Sequence, residues 1–145
     1  MKVKDIMSHS VAHLTPFATV SEAARLMEKH NIGSVPVCND NKVVGMLTDR
    51  DIVIRNIAGG QDPKSTKVGD IMSVDITTVT PDTEVANVGK VMADKQVRRI
   101  PVIENDRLVG MVAIGDIAVR GMYDAEVAEA LAEISIPAKP KYISE

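Results

Sequence analysis

The second half of this chain repeats the first. Residues 3–55 align without a gap on residues 68–120, with every position shifted by 65, and 17 of the 53 aligned positions are identical. A unit of about 50 residues buries too little surface to be stable alone, so the duplication predicts two copies of one supersecondary unit that share a core. The identical pairs include turn and polar residues: Asp5/Asp70, Ile6/Ile71, Met7/Met72, Pro16/Pro81, Pro36/Pro101, Gly45/Gly110 and Asp51/Asp116.

The composition is typical of a water-soluble globular protein. Apolar residues make up 45% of the 145 positions and charged residues 26%, which leaves no room for an uninterrupted membrane span. The N-terminus, MKVKDIMSHS, has no apolar segment behind its lysines, so we expect no secretory signal and a cytoplasmic protein. A net charge of −3, with one Phe, two Tyr and no Trp, argues against nucleic-acid binding.

The order predicted for each copy is strand, helix, strand, strand, helix. A short apolar strand, residues 11–14 or 76–79, stops at a Thr-Pro turn. A helix then follows, with a capping box formed by Thr19 and Glu22 in the first copy only. Its apolar face is predicted from residues at helical spacing: Val20, Ala23, Ala24 and Met27, and in the second copy Val85, Val88, Gly89 and Met92.

A hairpin and a second helix complete each copy. Paired apolar runs separated by polar turns predict the hairpins, over residues 35–47 and 100–112. The closing helices are predicted over residues 49–57 and 115–122. The resulting division is repeat 1 at 1–57, a Gly- and Pro-containing linker at 58–67, repeat 2 at 68–122, and a C-terminal helix and tail at 123–145.

The C-terminal helix is predicted over residues 124–136. Val127, Leu131 and Ile134 form one apolar stripe before Pro137 and Pro140 end the helix. The sequence leaves open whether this stripe packs on its own module or on a partner.

Cysteine and methionine are expected in the core. Cys38 cannot form an internal disulfide, because it is the only cysteine, and it lies in the apolar run VPVC. Six of the eight methionines occupy equivalent positions in the two copies, as repeated core packing predicts. Met46 is also a candidate for a pocket wall.

Groups for catalysis or metal binding are sparse. Asp49 and Asp51 are two residues apart and point in different directions on a helix, so they cannot act as a carboxylate pair. The three histidines show no metal-ligand spacing, and no Walker P-loop is present. We therefore expect neither an enzyme nor a metal site.

Residues 45–51, Gly-Met-Leu-Thr-Asp-Arg-Asp, lead from a strand into a helix. Thr48 as N-cap and Asp51 three residues later predict a capping box, which needs no ligand. The same groups suit a ribose, because a carboxylate accepts both diol protons and a Thr hydroxyl donates and accepts. The two interpretations are compatible and both remain open.

Taken together, these motifs resemble the CBS domain (cystathionine β-synthase domain) pair, or Bateman module. The resemblance covers residues 3–120 and rests on the Asp-Ile-Met start, the Thr-Pro turn, the Val-Pro-Val and Ile-Pro-Val strands, and the Gly-Met-Leu-Thr-x-x-Asp element. It implies an α+β fold of two tandem β-α-β-β-α repeats packed about a pseudo-twofold axis. It also implies adenosine-containing ligands in the clefts between the repeats, and a homodimer.

The resemblance implies one good nucleotide site and one weak one. In the first, Thr48 and Asp51 hold the ribose, Arg98 and Arg99 face the phosphates, and four residues flank the adenine: Met46, Arg50, Ile76 and Thr77. The weak site is assigned to Asp116, Gly33, Ser34 and Met111. It lacks a Thr, because Ala113 stands there, and it has Gly33 and Ser34 where the first site has two arginines.

The predicted function is that of a non-catalytic regulatory module that senses AMP, ADP, ATP or S-adenosylmethionine. No metal or other cofactor is required, no membrane or nucleic acid is involved, and the regulated partner protein is unknown. The alternative is a structural, oligomerisation or protein-interaction module with vestigial nucleotide sites, in which the C-terminal stripe carries the function.

Overall fold

The computed structural model describes residues 1–136, which form two equivalent halves on one sheet. This mixture of helices and strands in two equivalent copies confirms the predicted α+β class. The helices are α1 (Val20–His30), α2 (Asp49–Asp51), α3 (Val68–Ile71), α4 (Val85–Lys95), α5 (Ile114–Ala118) and α6 (Asp124–Ser135). The strands are β1 (Ser34–Asn39), β2 (Lys42–Thr48), β3 (Arg99–Glu104) and β4 (Arg107–Ala113).

The sheet consists of two antiparallel hairpins in the order β1-β2-β4-β3. Each hairpin turns through two residues in the left-handed region, Asp40-Asn41 and Asn105-Asp106, as tight hairpin turns require. The predicted hairpins are thus confirmed. The inner strands meet at one pair, Lys42 with Arg107. Because these are equivalent residues of the two copies, the pseudo-twofold axis passes between them.

The two copies exchange their opening segments. Ser8 pairs with Met111 on β4, and its equivalent Ser73 pairs with Met46 on β2 through two hydrogen bonds of 2.9 Å. Val3 and Ile6 consequently lie in the core of the second repeat, while Val68 and Ile71 lie in that of the first. Each core is completed by the beginning of the other copy, so the halves are interlocked.

The first strand of each copy is shorter than predicted. Over residues 11–14 and 76–79, pairing is limited to one parallel bridge per copy, Leu14 with Val37 and Val79 with Val102. Two backbone hydrogen bonds hold each bridge, at 2.7 and 3.1 Å in the first copy and 2.9 and 3.1 Å in the second. The Thr-Pro turn that follows ends the ladder, because proline restricts the residue before it.

The closing helices also differ from the prediction. Residues 49–57 form the single turn α2 and then a π-helix, Ile52–Ile57, which buries Asn56 completely. The predicted helix over 115–122 ends early as α5, and a 3₁₀ turn, Gly121–Tyr123, follows it. A π-turn contains more than 3.6 residues, so a helical apolar period in the sequence does not reveal it.

The helix α1 follows its predicted pattern with one exception. The Thr19–Glu22 capping box forms, with both reciprocal hydrogen bonds present. Val20, Ala23 and Met27 are buried, whereas Ala24 is exposed, so its assignment to the apolar face was wrong. Cys38 is buried as expected, with 4% of its surface exposed.

The helix α6 packs against α4 of its own module. The contact is close at Gly89, where an added Cβ would lie 2.9 Å from Cβ of Glu126. Val127 and Ile134 pack on the core of the second repeat, which answers the question that the sequence left open, but Leu131 is 44% exposed and does not belong to the packed stripe. Pro137 and Pro140 lie outside the described residues. Within 1–136, no helix has the length and apolar character that crossing a membrane requires.

Candidate functional site

A cavity of about 610 Å³ lies between the two repeats. The first repeat lines it at the start of β1, the end of β2 and the first turn of α2. The second repeat contributes its opening segment around residues 73–77 and the passage from α4 into β3, residues 95–99. Ile134 of α6 completes the wall. Seven of the eight residues predicted for the first site line it: Met46, Thr48, Arg50, Ile76, Thr77, Arg98 and Arg99.

Thr48 lies where β2 ends and α2 begins. Its backbone N–H donates to Oδ2 of Asp51, and the N–H of Asp51 donates to Oγ1 of Thr48, both at 3.0 Å. The predicted capping box is therefore present. In it the Thr48 hydroxyl acts only as an acceptor, which leaves its proton available to a ligand in the cavity.

Asp51, which the sequence analysis assigned to the ribose, is not among the residues that line the cavity in this structure. One carboxylate oxygen holds the cap, and the other lies 3.8 Å from Nε of Arg55. The side chain is 13% exposed. These contacts hold Asp51 behind Thr48, so in this structure it orients the threonine.

The carboxylate that faces the cavity beside Thr48 is that of Asp49. Its backbone N–H donates to the carbonyl of Gly33 at 2.9 Å. A Cβ added to Gly33 would lie 2.9 Å from Oδ2 of Asp49, so the missing side chain leaves the carboxylate its space. The sequence did not predict this position for Asp49; the available signal was a glycine directly before a strand.

The passage from α4 into β3 supplies a basic wall. Lys95 ends α4, and Gln96 follows in the left-handed conformation at φ 56°. The carbonyl of Arg98 accepts the N–H of Ile114 at 2.8 Å, and Arg99 pairs with Ala113 on β4. These backbone contacts fix the segment that presents Lys95, Arg98 and Arg99 to the cavity.

Charges and apolar groups are both present in the lining. The cations are Arg50, Lys95, Arg98 and Arg99, and the carboxylates are Asp49 and Asp75. None of the four cations forms an ion pair within residues 1–136. The apolar part consists of Met46, Ile76, Val97, Pro101 and Ile134. Such a surface offers both apolar contact and positive charge to one ligand.

The four residues predicted for the weak second site do not all lie at one cavity. Gly33 and Ser34 line the same cavity as Thr48, because Ser34 lies directly opposite Thr48 in the β1–β2 hairpin. Met111 is 8% exposed, and Asp116 accepts the N–H of Ala113 at 2.8 Å; neither lines this cavity. Oγ of Ser34 is buried and has no hydrogen-bond partner among the described residues.

A smaller cavity of about 130 Å³ lies near the hairpin turns. His9, His13 and Cys38 line it with Asn41, although the sequence spacing did not predict that they would meet. As placed, no three His, Cys, Asp or Glu side chains in the described part of the chain form a group that could hold a metal ion. Burial raises the pKa of the Cys38 thiol above its ordinary value of 9.0.

Comparisons with known proteins agree with the repeat structure. The family model for the CBS domain matches residues 3–56 and again 68–121. A CBS domain-containing protein of Bacillus subtilis, YhcV, is 41% identical over 133 residues, which cover 92% of this chain and 94% of the relative.

Two solved structures are similar in fold and sequence. Hypoxic Response Protein I with two coordinated zinc ions has a TM-score of 0.77 and 40% identity, covering 83% of this chain and 98% of that one. Hypoxic response protein 1 of Mycobacterium tuberculosis is 41% identical over 116 residues, which cover 79% of this chain and 81% of the relative. The CBS domain pair of protein MJ0100, in complex with 5′-methylthioadenosine and S-adenosyl-L-methionine, has a TM-score of 0.74 and 29% identity, covering 82% of this chain and 94% of that one.

Proposed function

The chain belongs to the CBS domain family, and from that premise we propose that it is a non-catalytic sensor that binds an adenosine-containing ligand in the cavity between its repeats. The proposal depends mainly on the composition of the cavity wall. Both repeats contribute to it, and it combines the Thr48 hydroxyl, an apolar surface and basic side chains that form no ion pair within residues 1–136. The MJ0100 pair, which binds two adenosyl compounds, supports the ligand class. We expect such a sensor to act in the cytoplasm.

The ligand is oriented by three parts of the wall. The adenine lies against Met46 and Ile76, where apolar contact is available. The ribose lies beside Thr48, whose hydroxyl donates to it, with Asp49 and Asp51 as the two candidate acceptors. The phosphates face Arg98 and Arg99, because charge-assisted hydrogen bonds from guanidinium groups favour phosphate oxygens.

Binding between the repeats gives a route to regulation. A ligand that contacts both halves favours the arrangement in which those contacts are made, and it shifts the population only by its difference in affinity between arrangements. The alternative, an assembly module with vestigial sites, loses support because Val127 and Ile134 of the C-terminal stripe pack within their own module, whereas Leu131 is exposed.

A second copy of the chain is the partner that the surface favours. The residues Ile54 and Ile57 of the π-helix, and their equivalents Val119 and Met122, are 53–79% exposed. Both repeats therefore present large apolar side chains at the same positions, and exposed apolar patches of this kind mark interaction sites. We assign this face to a homodimer.

Thr48→Ala, with Thr19→Ala as a matched control, tests the proposed site. Each variant removes one N-cap, which costs about 1 kcal/mol of stability, but only Thr48 lines the cavity. We expect calorimetry to show weaker adenine-nucleotide binding for Thr48→Ala alone. Equal affinity in both variants would contradict the assignment of the ribose to Thr48.

A further inference from the structure

Lys95 lines the cavity, although it lies outside the motif that the sequence analysis singled out. It is the last residue of α4, and the left-handed turn at Gln96 directly after it redirects the chain toward Arg98 and Arg99. Gln96 is itself held, because its Nε2 donates to the carbonyl of Glu133 on α6 at 3.0 Å. Lys95 therefore extends from an anchored helix end.

The lining carries more positive than negative charge. Four cations and two carboxylates face the cavity, and Arg50 comes from the opposite repeat to the other three cations. None of the four is neutralised by an ion pair in the described chain. A phosphate monoester carries about −1.5 to −2 charge at pH 7, whereas the sulfonium of S-adenosylmethionine is positive. The field in this cavity favours the first and opposes the second.

We propose that Lys95 is a phosphate-binding residue of this cavity and that, with Arg50, Arg98 and Arg99, it selects a nucleoside polyphosphate over adenosine and over cationic adenosyl compounds. The proposal rests on the function proposed above and makes it more specific. Each additional phosphate adds negative charge to a wall with an excess of cations, so affinity rises in the order adenosine, AMP, ADP, ATP. S-adenosylmethionine binds more weakly than ATP.

The test is calorimetry on purified full-length protein stripped of bound nucleotide, with Lys95→Ala and Lys90→Ala compared. Lys90 is exposed on the same helix and does not line the cavity, so it controls for loss of one surface charge. We expect Lys95→Ala to weaken ATP binding about fivefold, as loss of one largely exposed charge contact implies, and to leave adenosine binding unchanged. Lys90→Ala leaves both unchanged.

Salt provides an independent measurement. Raising the ionic strength from about 0.1 M to about 1 M shortens the screening length from about 10 Å to about 3 Å, so ATP binding weakens while adenosine binding does not. S-adenosylmethionine binding as tightly as ATP, or equal losses for ATP and adenosine in Lys95→Ala, would overturn the proposal.

Inorganic tripolyphosphate separates this proposal from the proposed function. If tripolyphosphate binds and Lys95→Ala weakens that binding, the anion wall is supported even if adenosine does not bind. If adenosine binds and tripolyphosphate does not, the sensor function stands and the role of Lys95 is refuted. If neither binds and ATP also fails to bind, both proposals are wrong.

Discussion

The Sδ atom of Met72 occupies the space beside Gly45 where a side chain would begin: a Cβ added to Gly45 would lie 2.5 Å from it. The same relationship joins Met7 to Gly110, at 2.6 Å. Each methionine belongs to the opening segment of one repeat and each glycine to a strand of the other. The methionine and the glycine are each identical in the two copies. The contact explains both identities, because each opening segment packs on the other repeat and therefore needs the methionine and the glycine in both copies.

Gly45→Ala is expected to destabilise the fold by about 1–3 kcal/mol, the usual cost of overpacking a tight contact. The methionine can move, but the carbonyl of Ser73, 2.9 Å from the added Cβ, is backbone. Gly115→Ala is the control, since a Cβ there meets nothing within 4 Å. Urea unfolding measures both variants. Equal stability of the two would show that the exchanged segments are not closely packed at Gly45.

Asp49→Asn and Asp51→Asn distinguish the two carboxylates near the ribose. Asn at position 51 still offers an oxygen to the N–H of Thr48, so the cap persists and folding changes little. If Asp49 accepts the ribose hydroxyls, Asp49→Asn weakens adenosine binding more than Asp51→Asn does. Isothermal calorimetry with adenosine makes the comparison. The reverse order would restore the role that the family resemblance gives to Asp51.

Ile57→Glu is expected to convert the proposed homodimer to a monomer without unfolding it. Ile57 is 55% exposed, so the charge is tolerated in the isolated chain but not in an apolar interface. Sedimentation velocity gives the mass, and circular dichroism checks the fold. Ser65→Glu is the control, because Ser65 is an exposed residue of the linker at 58–67. A monomeric unmodified protein at micromolar concentration would refute the dimer.

Cys38 is expected to react slowly with thiol reagents at neutral pH. Burial disfavours the thiolate and raises the pKa of the thiol, so the protonated form prevails. The buried, protonated thiol also makes the stability of the fold depend on pH. Because the pKa of Cys38 is higher in the folded state than in the unfolded state, its contribution to stability is complete below the unfolded-state pKa. That contribution is lost as the pH rises through the folded-state pKa. Denaturant unfolding of the unmodified protein and of Cys38→Ala between pH 7 and pH 10.5 measures this loss of stability. If the free energy of unfolding depended on pH in the same way in both proteins above about pH 9, the raised pKa of Cys38 would be contradicted.

Local features were predictable because the residues that form them are close in sequence. Thr19 with Glu22 and Thr48 with Asp51 fixed two helix starts, and polar pairs fixed both hairpin turns. The duplication predicted the two halves. In the helix caps and the hairpin turns, a hydrogen bond or a turn conformation depends on residues no more than a few positions apart.

Long-range features were not predictable in the same way. The exchange of opening segments depends on how the halves pack, and no residue near Val3 or Val68 indicates which core it enters. Predicting all the residues of the site also requires knowing how distant elements pack. Lys95 and Ile134 reach the cavity only because α4 and α6 pack together. Asp49 lines the cavity beside Gly33, whose missing side chain leaves the carboxylate room, and this contact joins residues 16 positions apart in the sequence.

The central claim, that the cavity between the repeats binds a nucleotide, is tested most directly by adding ATP to protein stripped of bound nucleotide. Calorimetry and thermal unfolding both detect the binding. We predict one ATP per cavity and, at 100 times the dissociation constant, stabilisation by about 2.7 kcal/mol, which raises the melting temperature by several degrees. If millimolar ATP, ADP, AMP and S-adenosylmethionine produce neither heat of binding nor a change in melting temperature, the cavity between the repeats is not a nucleotide site.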